Sequence, residues 1–503
     1  MTQTGDRTDR YNAAYVDSDP YGQAIAGEAS RAAPDVRPLI DPSTGETFAS
    51  WVEATEDEID RAVGAARRSF DEGTWRRMPL ARRAEVLEAA AAAIAAETDK
   101  LATLDCLCTG KAITGAIAYD LYEAKNAFAH AGAVVRDMHG ETRKATYPPT
   151  LLPGGGPEIL NLRLREPAGV VAEMVPWNGP MFTGSERIAA ALAAGCSIVA
   201  KPSEESPCSL VVLAAILREA GVPDGVFNVV LGRGETVGER LVIDPRVDVV
   251  SLTGSVDTGQ RVLTLAAPQF KQVNLELGGK APVIVFADAD LDQAVTWAMM
   301  AAFVNMGEVC VAGSRLLVEV PVYDDVVSGV AAAAGTLPIG DAMDPQTFIG
   351  PLVNVEHADR VRGFVDRALT KGDAQSVNEP TLPGDLTEAY VAPRVLRNVR
   401  TGSEIEQNEV FGPVLGSQPF TVEEEAVALA NSTRYGLNAT VFTRDINRAF
   451  RLADQLDVGD VDVNCHFTPN INAGRGTPRR RSGMSAVGVA SYERAKGVNI
   501  SLG

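Results

Sequence analysis

The stretch that decides the fold runs from residue 170 to residue 255 and repeats a short apolar run followed by a turn. The four runs and their turns are Val170-Val171-Ala172 before Pro176-Trp177-Asn178-Gly179, Ser197-Ile198-Val199-Ala200 before Lys201-Pro202-Ser203-Glu204, Phe227-Asn228-Val229-Val230 before Gly232, and Asp248-Val249-Val250-Ser251-Leu252 before Thr253-Gly254-Ser255. This alternation predicts a parallel sheet with crossover helices, in which ligands bind at the carboxyl ends of the strands. Because every turn follows a strand, we expect a cofactor site along that edge.

The same alternation starts again after Gly279. Pro282-Val283-Ile284-Val285-Phe286 is typical of a buried strand, and the pattern after Asp290 predicts a helix. A second α/β lobe is therefore predicted to begin near residue 280. A chain of 503 residues is long enough for two or three lobes.

Two other segments differ from this α/β pattern. Ile159-Leu160-Asn161-Leu162-Arg163-Leu164-Arg165 alternates apolar and polar residues, which predicts a half-exposed strand in a projecting hairpin. Residues 1–33 are polar, and we expect them to form a loose arm.

Composition and charge exclude several functional classes. About 46% of the residues are hydrophobic and the net charge is −20, with a pI near 4.8. Such an acidic protein repels phosphate backbones, so we expect no nucleic acid partner. No apolar stretch approaches the length of a membrane span, and residues 1–30 lack the pattern of a signal peptide, so we expect a cytoplasmic protein without a membrane partner. The basic run Arg479-Arg480-Arg481 is typical of a solvated loop, or of a contact for a neighbouring subunit or an anionic ligand.

The cysteines predict neither disulfides nor a metal site. The six cysteines are Cys106, Cys108, Cys196, Cys208, Cys310 and Cys465, and their spacing matches no disulfide framework. The four histidines provide no HxxxH pair, so we expect reduced thiols and no metal.

Three residues are candidates for catalysis on local grounds. Cys310 lies among glycines and small residues, where a turn leading into a helix N-terminus would favour its thiolate. Glu276 follows a strand-like run and precedes two glycines, which suits a carboxylate base that activates water. Asn178 lies on a turn from which its amide could donate to an oxyanion. Each also has a plain alternative, namely a buried core cysteine, a surface glutamate and a simple Asn-Gly turn.

The order of the motifs carries a family resemblance. Pro176-Trp177-Asn178, Lys201-Pro202-Ser203-Glu204, Thr253-Gly254-Ser255, Glu276-Leu277-Gly278-Gly279-Lys280, the Cys310 segment and Glu409-Val410-Phe411-Gly412-Pro413-Val414 occur in the order seen in the aldehyde dehydrogenase superfamily. The similarity runs from about Arg37 to the C-terminus. The chain thus resembles an enzyme with two Rossmann-like α/β lobes with parallel sheets and a small β oligomerisation arm.

The resemblance implies oxidation of an aldehyde to its carboxylic acid through a thioester. Cys310 would be the nucleophile, and the oxyanion would be held by the Asn178 side chain and the Cys310 backbone N–H. Glu276 would activate the water that hydrolyses the thioester. Relatives that pass the acyl group to coenzyme A generally lack this glutamate, so its presence favours a free acid.

The resemblance also implies an NAD site. The residues matched to the cofactor are Pro176, Trp177, Lys201, Ser203, Glu204, Gly234, Thr253, Gly254, Ser255, Gly259, Leu277, Gly278, Glu409 and Phe411. Lys201 and Glu204 resemble the pair that binds the adenosine ribose, and a carboxylate there repels a 2′-phosphate, which favours NAD over NADP. Lys201-Pro202-Ser203-Glu204 is also compatible with a helix start with Pro at its first position.

Two departures from the family pattern and the substrate-facing positions bear on specificity. Glu308 stands where relatives usually have Gln; it would raise the pKa of the Cys310 thiol if both were buried together, but it could equally point into solvent. The usual Pro-Phe-Gly-Gly stretch near the C-terminus is replaced by residues 471–483. The residues matched to the substrate pocket are Gly179, Thr183, Glu186, Arg187, Glu308, His466 and Phe467.

These positions predict a wide, polar pocket for a bulky, aromatic or polar aldehyde, including one with a basic group that could pair with Glu186. One alternative is a semialdehyde dehydrogenase that holds a substrate carboxylate with Arg187 or Arg475. Another is a catalytically silent relative that binds NAD.

The resemblance divides the chain into parts. Residues 34–144 and 168–279 would form the NAD-binding domain and residues 280–487 the catalytic domain, after an N-terminal arm of residues 1–33. Residues 145–167 and 488–503 would form the oligomerisation arm of a homodimer or homotetramer.

Overall fold

The computed structural model describes residues 12–16, 18–32, 35–148, 150–152, 156–467 and 488–502. Its helices are α1 (Glu56–Glu72), α2 (Leu80–Ala96), α3 (Thr98–Thr109), α4 (Ile113–Gly115), α5 (Tyr122–Arg136), α6 (Pro180–Ala194), α7 (Cys208–Ala220), α8 (Glu239–Ile243), α9 (Val256–Ala266), α10 (Leu291–Phe303), α11 (Tyr323–Ala334), α12 (Val355–Thr370), α13 (Glu404–Gln407), α14 (Glu423–Ala430) and α15 (Ile446–Gln455). Its strands are β1 (Gln23–Ile25), β2 (Glu28–Ser30), β3 (Val36–Asp41), β4 (Glu46–Val52), β5 (Glu141–Thr146), β6 (Glu158–Pro167), β7 (Val170–Val175), β8 (Ser197–Pro202), β9 (Phe227–Val229), β10 (Val249–Gly254), β11 (Gln272–Leu277), β12 (Pro282–Val285), β13 (Arg315–Glu319), β14 (Gln375–Ser376), β15 (Arg394–Arg397), β16 (Val414–Phe420), β17 (Asn438–Phe442), β18 (Asp460–Val463) and β19 (Glu493–Ser501).

The first sheet has the order β11-β10-β7-β8-β9-β1-β2. Its strands from β11 to β9 are parallel, as the four apolar runs predicted. Helices cover both faces, so the strands are buried on each side. For example, β7 and β8 have no exposed residue.

The second sheet has the order β14-β15-β16-β13-β12-β17-β18 and is parallel except for the edge strand β14. Its first strand in the chain is β12, which confirms the buried strand predicted after Gly279. Asp290 caps α10 by accepting a hydrogen bond from the Gln293 N–H, which explains why that helix begins where the pattern predicted.

The third sheet is antiparallel and has the order β19-β6-β5. The C-terminal strand pairs along nine positions of β6, from Glu493 opposite Pro167 to Ser501 opposite Ile159. Every residue of β5 is exposed. This sheet contains the alternating segment that the sequence predicted as a projecting hairpin strand.

The expected loose arm over residues 1–33 is wrong for its second half. Strand β1 pairs with β9 and β2 and so extends the first sheet. The cause is burial: Tyr21 and Ile25 lie in the core, and the Gln23 side chain bonds the backbone of Val52 and Leu231. Residues 1–11, 17 and 33–34 lie outside the described residues.

No helix in the described ranges is long and apolar enough to cross a membrane. No cluster of three or more His, Cys, Asp or Glu side chains within those same ranges could hold a metal ion.

Candidate active site

A cavity of about 430 Å³ lies at the carboxyl ends of β7, β10 and β11, against loops of the second sheet. Its lining includes the three side chains that the sequence singled out for chemistry: Asn178 after β7, Glu276 in β11 and Cys310 before β13. The order of the strands brings them together across more than 130 residues of chain. The cavity therefore lies at the carboxyl ends of the strands, where the sequence predicted a ligand site.

The backbone around Cys310 is held by close contacts at glycines. Gly307 has φ +72°, and a Cβ there would lie 2.4 Å from the Gly412 carbonyl oxygen. A Cβ on Gly279 would lie 2.1 Å from the Cys310 carbonyl oxygen. Only glycine permits such approaches, so these two positions let the segment around Cys310 pack closely against its neighbours.

The expectation that Cys310 precedes a helix is wrong. Cys310 lies in a turn between the short helical turn Val304–Gly307 and β13, and no helix begins at its backbone N–H. The side chain is partly exposed, in contrast to four of the other cysteines, which are buried. A helix dipole is therefore not available to favour its thiolate.

Asn178 is hydrogen-bonded to the segment that carries Cys310. Its Nδ2 donates a hydrogen bond of 2.8 Å to the carbonyl oxygen of Glu308, two residues before Cys310. Asn305 donates to the same carbonyl at 3.2 Å. A side-chain amide has two N–H groups, so this bond orients Asn178 and leaves its second donor for a ligand in the cavity.

Glu276 is nearly buried and faces a guanidinium. Its Oε1 lies 3.9 Å from Nη2 of Arg187, which belongs to α6. Arg187 is 2% exposed, donates 2.6 Å to the Ser251 hydroxyl and has Glu173 on its other side at 3.9 Å. Although Arg187 borders the cavity, it is committed to these neighbours. Its expected role as a substrate contact is therefore not supported by its geometry.

Glu308 does not point into solvent. The side chain is 1% exposed and accepts a hydrogen bond of 3.1 Å from the Val353 N–H. Burial raises its pKa well above the ordinary value, although Val353 and the positive charge of Lys111 oppose the rise. Burial therefore favours the neutral form of Glu308, and its side chain does not line the cavity that Cys310 borders.

Glu409 and two aromatic rings form one wall of the cavity. Glu409 Oε1 accepts a hydrogen bond of 2.9 Å from the Gly279 N–H, and burial raises the pKa of Glu409 to about 7. A Cβ on Gly278 would lie 2.0 Å from its carboxylate. The Trp177 ring packs edge-on to the Phe411 ring, with 5.5 Å between the centroids. This wall can hold a ribose hydroxyl beside a flat ring.

The start of α9 forms another wall. Ser255 caps the helix by accepting from the Thr258 N–H at 3.1 Å, and Thr253, Gly254 and Ser255 all border the cavity. A helix N-terminus directs N–H groups and partial positive charge toward an anion. A Cβ on Gly259 would lie 2.7 Å from Leu277, so glycine allows α9 to pack closely on β11.

The residues matched to the adenosine half lie on the neighbouring strand end and do not border this cavity. Lys201 Nζ donates 2.6 Å to the Gly232 carbonyl and lies 3.6 Å from the Glu204 carboxylate. Ser203 follows directly, and Gly234 has open space where its Cβ would be. The alternative of a helix starting with Pro202 is wrong, because that residue ends β8 and α7 begins at Cys208.

The predicted substrate positions divide into two groups. Thr183 and Glu186 border the cavity together with Phe182, whereas Gly179, His466 and Phe467 do not. His466 is wrong as a substrate contact, because it is buried between the Thr440 hydroxyl at 2.7 Å and the Val311 carbonyl at 3.1 Å. Burial lowers the pKa of His466 to about 4. Phe467 packs against the His466 ring.

The altered stretch of residues 471–483, which contains Arg475 and Arg479-Arg480-Arg481, lies outside the described residues.

Several cavity residues were missed by sequence reasoning. His357 packs edge-on to Trp177, and burial lowers its pKa to about 4, so the ring is neutral. Others in the lining are Phe182, Val256, Asp257, Arg360, Phe364, Asn408, Arg434 and Tyr435. His357, Arg360 and Phe364 belong to α12, whose helical spacing signals only an amphipathic helix, so no local motif marks them.

Comparison with known proteins agrees with this arrangement. The model of the aldehyde dehydrogenase family matches residues 30–494. The chain is 35% identical to the betaine aldehyde dehydrogenase of Bacillus subtilis (strain 168), over 95% of this chain and 96% of that protein. It is 36% identical to the 2-hydroxymuconic semialdehyde dehydrogenase of Pseudomonas sp. (strain CF600), over 90% of this chain and 93% of that protein.

A crystal structure of an NAD-dependent aldehyde dehydrogenase from Sinorhizobium meliloti has a TM-score of 0.92 and 35% identity, and it covers 99% of this chain and 97% of that chain. Fold and site together define an oxidoreductase that acts on aldehydes with a nicotinamide dinucleotide. The chain belongs to the aldehyde dehydrogenase family.

The described residues fit such a dinucleotide. The N-terminus of α9 suits its phosphates, the Lys201–Glu204 pair suits a ribose, and Glu409 with the Trp177 and Phe411 rings suits the nicotinamide end. The glycines at 259 and 278 keep side chains out of these contacts.

Proposed function

We propose that the protein oxidises an aldehyde to the free carboxylic acid with NAD. The observation that carries this proposal is that one cavity is bordered by a thiol, a side-chain amide and a carboxylate, namely Cys310, Asn178 and Glu276. These are the groups that covalent oxidation of an aldehyde requires: a nucleophile, an oxyanion donor and a base.

In the first half of the reaction, Cys310 holds the substrate. Its sulfur bonds to the aldehyde carbon to give a thiohemiacetal. The free N–H of the Asn178 amide and the backbone N–H of Cys310 stabilise the negative oxygen. NAD, when bound, supplies the acceptor for the hydride whose loss converts this adduct to a thioester.

In the second half, Glu276 takes a proton from water while the water oxygen bonds to the thioester carbon. The carbon–sulfur bond then breaks, the acid leaves, and Cys310 is regenerated as a thiolate. The position of Glu276 supports this role, because it is nearly buried, borders the cavity and precedes Gly278 and Gly279.

The charge at the ribose pocket supports NAD over NADP. Glu204 lies 3.6 Å from Lys201, so the lysine is already paired with a carboxylate. A 2′-phosphate would meet that carboxylate, whereas a 2′-hydroxyl could donate to it.

The substrate end of the cavity supports a bulky, aromatic or polar aldehyde. The wall there combines the Phe182 ring with the polar side chains of Thr183 and Glu186. Tyr119 packs on Phe182 with 5.2 Å between the ring centroids, which extends the aromatic surface outward. A basic group on the substrate could approach Glu186.

A semialdehyde with a carboxylate is the second candidate, since one relative is named for such a substrate. The buried pairing of Arg187 disfavours it as the carboxylate anchor, and Arg475 lies outside the described residues. A catalytically silent relative is the third candidate, and the joint presence of the three catalytic groups disfavours it.

The test is NADH formation with a panel of aliphatic, aromatic, basic and semialdehyde substrates, each with NAD and with NADP. We expect turnover with NAD that Cys310→Ala abolishes. Cys465→Ala is the matched control, because Cys465 is the other partly exposed thiol among the described residues, and we expect it to retain turnover. Turnover that survives Cys310→Ala, or silence of the unaltered enzyme across the panel, would contradict the proposal.

A further inference from the structure

A buried charged cluster lies directly behind Glu276. It joins Glu173 in β7, Arg187 in α6 and Glu276 in β11, with Tyr492 from the segment that precedes β19. Glu173, Arg187 and Tyr492 are each 2% exposed or less. The proposed reaction uses only Glu276 from this cluster, so it does not explain why Glu173 and Arg187 are buried here.

The guanidinium of Arg187 lies midway between the two carboxylates. Its Nε is 3.9 Å from Glu173 and its Nη2 is 3.9 Å from Glu276. Among the described residues, Arg187 Nη2 and Glu173 Oε1 have no hydrogen-bond partner although both atoms are buried. The guanidinium is therefore shared by two carboxylates and lies too far from either for a hydrogen bond.

Other elements hold Glu173 and Arg187 in place. The Tyr492 hydroxyl donates to Glu173 Oε2 at 3.3 Å and contacts the Ser251 hydroxyl at 3.1 Å, and Arg187 Nη1 donates to that same hydroxyl at 2.6 Å. On the other side of β7, Glu173 is opposite the apolar Ala200 in β8. The charged group that acts on Glu173 is thus Arg187, and Arg187 is in turn acted on by Glu276 and Glu186.

The charges in this cluster do not balance. Two carboxylates and one guanidinium carry a net negative charge where water is excluded, so one carboxylate tends to keep a proton. Burial raises the pKa of Glu173 to about 7, although Arg187 opposes the rise. Glu173, Tyr492 and Glu276 raise the pKa of Arg187 despite its burial, so the guanidinium keeps its charge.

We propose that Glu173 is a positioning residue for thioester hydrolysis. Glu173 competes with Glu276 for the positive charge of Arg187. This inference rests on the proposed function, because it takes Glu276 to be the base. When Glu173 is ionised, Arg187 is neutralised from behind and Glu276 is a stronger base. When Glu173 is neutral or absent, Arg187 pairs with Glu276 alone and weakens it as a base.

The test compares the pH dependence of kcat for the unaltered enzyme and Glu173→Gln. Because Glu173 ionises near pH 7, we expect the two profiles to coincide below that pH and to diverge above it, where Arg187 in Glu173→Gln pairs with Glu276 alone. The plateau should fall, since a weaker base removes the proton from water more slowly. The first NADH formed, before any hydrolysis, should appear at an unchanged rate.

Two further variants keep the test decisive. Tyr492→Phe removes the hydroxyl that stabilises the ionised Glu173, so the rise in kcat that follows ionisation of Glu173 should move to higher pH. Glu493→Gln is the control, because its half-buried carboxyl also has a raised pKa and adjoins Tyr492 but pairs with Arg165. A Glu173→Gln enzyme whose kcat equals that of the unaltered enzyme above pH 7 would overturn the inference.

If Glu173→Gln did not fold, an unshifted profile in Tyr492→Phe would overturn it instead. Failure of the proposed function itself would differ, because Cys310→Ala would then keep turnover or the unaltered enzyme would form no NADH.

Discussion

Glu308 is a buried carboxyl two residues from Cys310, and burial raises its pKa well above the ordinary value. Its side chain is buried, the Val353 N–H donates to it, and His357 lies 3.6 Å away. Because burial lowers the pKa of His357 to about 4, that ring is neutral and does not balance a charge on Glu308. The free-energy cost of burying Glu308 should therefore depend on pH.

We predict that Glu308→Gln stabilises the fold increasingly as the pH rises. The folded protein holds the proton of Glu308 to a higher pH than the unfolded chain, so stability is complete below the unfolded pKa. It is lost by up to about 1.4 kcal/mol per pH unit until the folded pKa is reached. Glutamine does not ionise, so the Glu308→Gln protein does not lose stability in this way. Melting temperatures at pH 5 and pH 8 would measure the gain, which should be larger at the higher pH.

The control for this prediction is Glu88→Gln. That carboxyl is exposed and Arg136 lowers its pKa, so removing it should give no gain at high pH. A Glu308→Gln protein with the same advantage at both pH values would contradict the prediction.

Glu204 offers a second test at the residue scale. We predict that Glu204→Gln raises kcat/KM with NADP relative to NAD by roughly tenfold or more, because a like charge facing a phosphate costs on the order of 1 kcal/mol or more. The matched control is Glu205→Gln, the next residue, whose carboxyl is bonded by Asn354. If Glu204→Gln kept the same preference for NAD over NADP, the Glu204 carboxylate would not be the cause of that preference.

At the scale of elements, the loop that carries Cys310 depends on its contact with the segment after β11. A Cβ at Gly279 would enter the space of the Cys310 carbonyl oxygen, so Cys310, the proposed nucleophile, would have to move. A displacement of about 1 Å in a catalytic group costs roughly a hundredfold in rate.

We therefore predict that Gly279→Ala lowers kcat by about a hundredfold while the protein still folds and binds NAD. Gly115→Ala is the control, since a Cβ there meets no atom within 4 Å. Steady-state rates together with melting temperatures would check this, and a Gly279→Ala enzyme of normal kcat would show that the nucleophile tolerates the shift.

The sequence predicted elements well where the pattern was local. The apolar runs before each turn became β7, β8, β9 and β10, and the turns lie at their carboxyl ends. It failed at Cys310, where small residues suggested a helix start but the chain turns directly into β13. That turn is imposed by Gly307 and Gly279 pressing on distant backbone, which no local pattern reveals.

The site was predictable only in part for the same reason. Asn178, Glu276 and Cys310 could be named because each lies in a motif. The surroundings that set their chemistry, such as Arg187 between two carboxylates, arise from contacts between β7, α6 and β11. The sequence placed His466 at the substrate pocket, but its side chain is buried in the core.

At the scale of the whole molecule, two parallel α/β sheets form the cavity between them, and the sheet of β5, β6 and β19 stands apart. The domain boundaries drawn at residues 145, 168, 280 and 488 remain predictions. The segment before β19 also reaches the charged cluster behind Glu276, because the Tyr492 hydroxyl donates a hydrogen bond to Glu173.

We predict a homodimer or homotetramer joined through this third sheet. Its strand β5 is exposed along its whole length, and such an edge is usually covered. Light scattering should give two or four times the mass of the 53.1-kDa chain. A monomer at micromolar concentration would contradict this prediction.

The most direct measurement of the central claim is the intact mass of Glu276→Gln after incubation with an aldehyde and NAD. Without the base, the thioester should accumulate, and we expect a mass gain equal to the aldehyde less two hydrogens, carried on Cys310. The double variant with Cys310→Ala should show no gain. An unmodified protein that still turns over, or an adduct on another residue, would contradict the account.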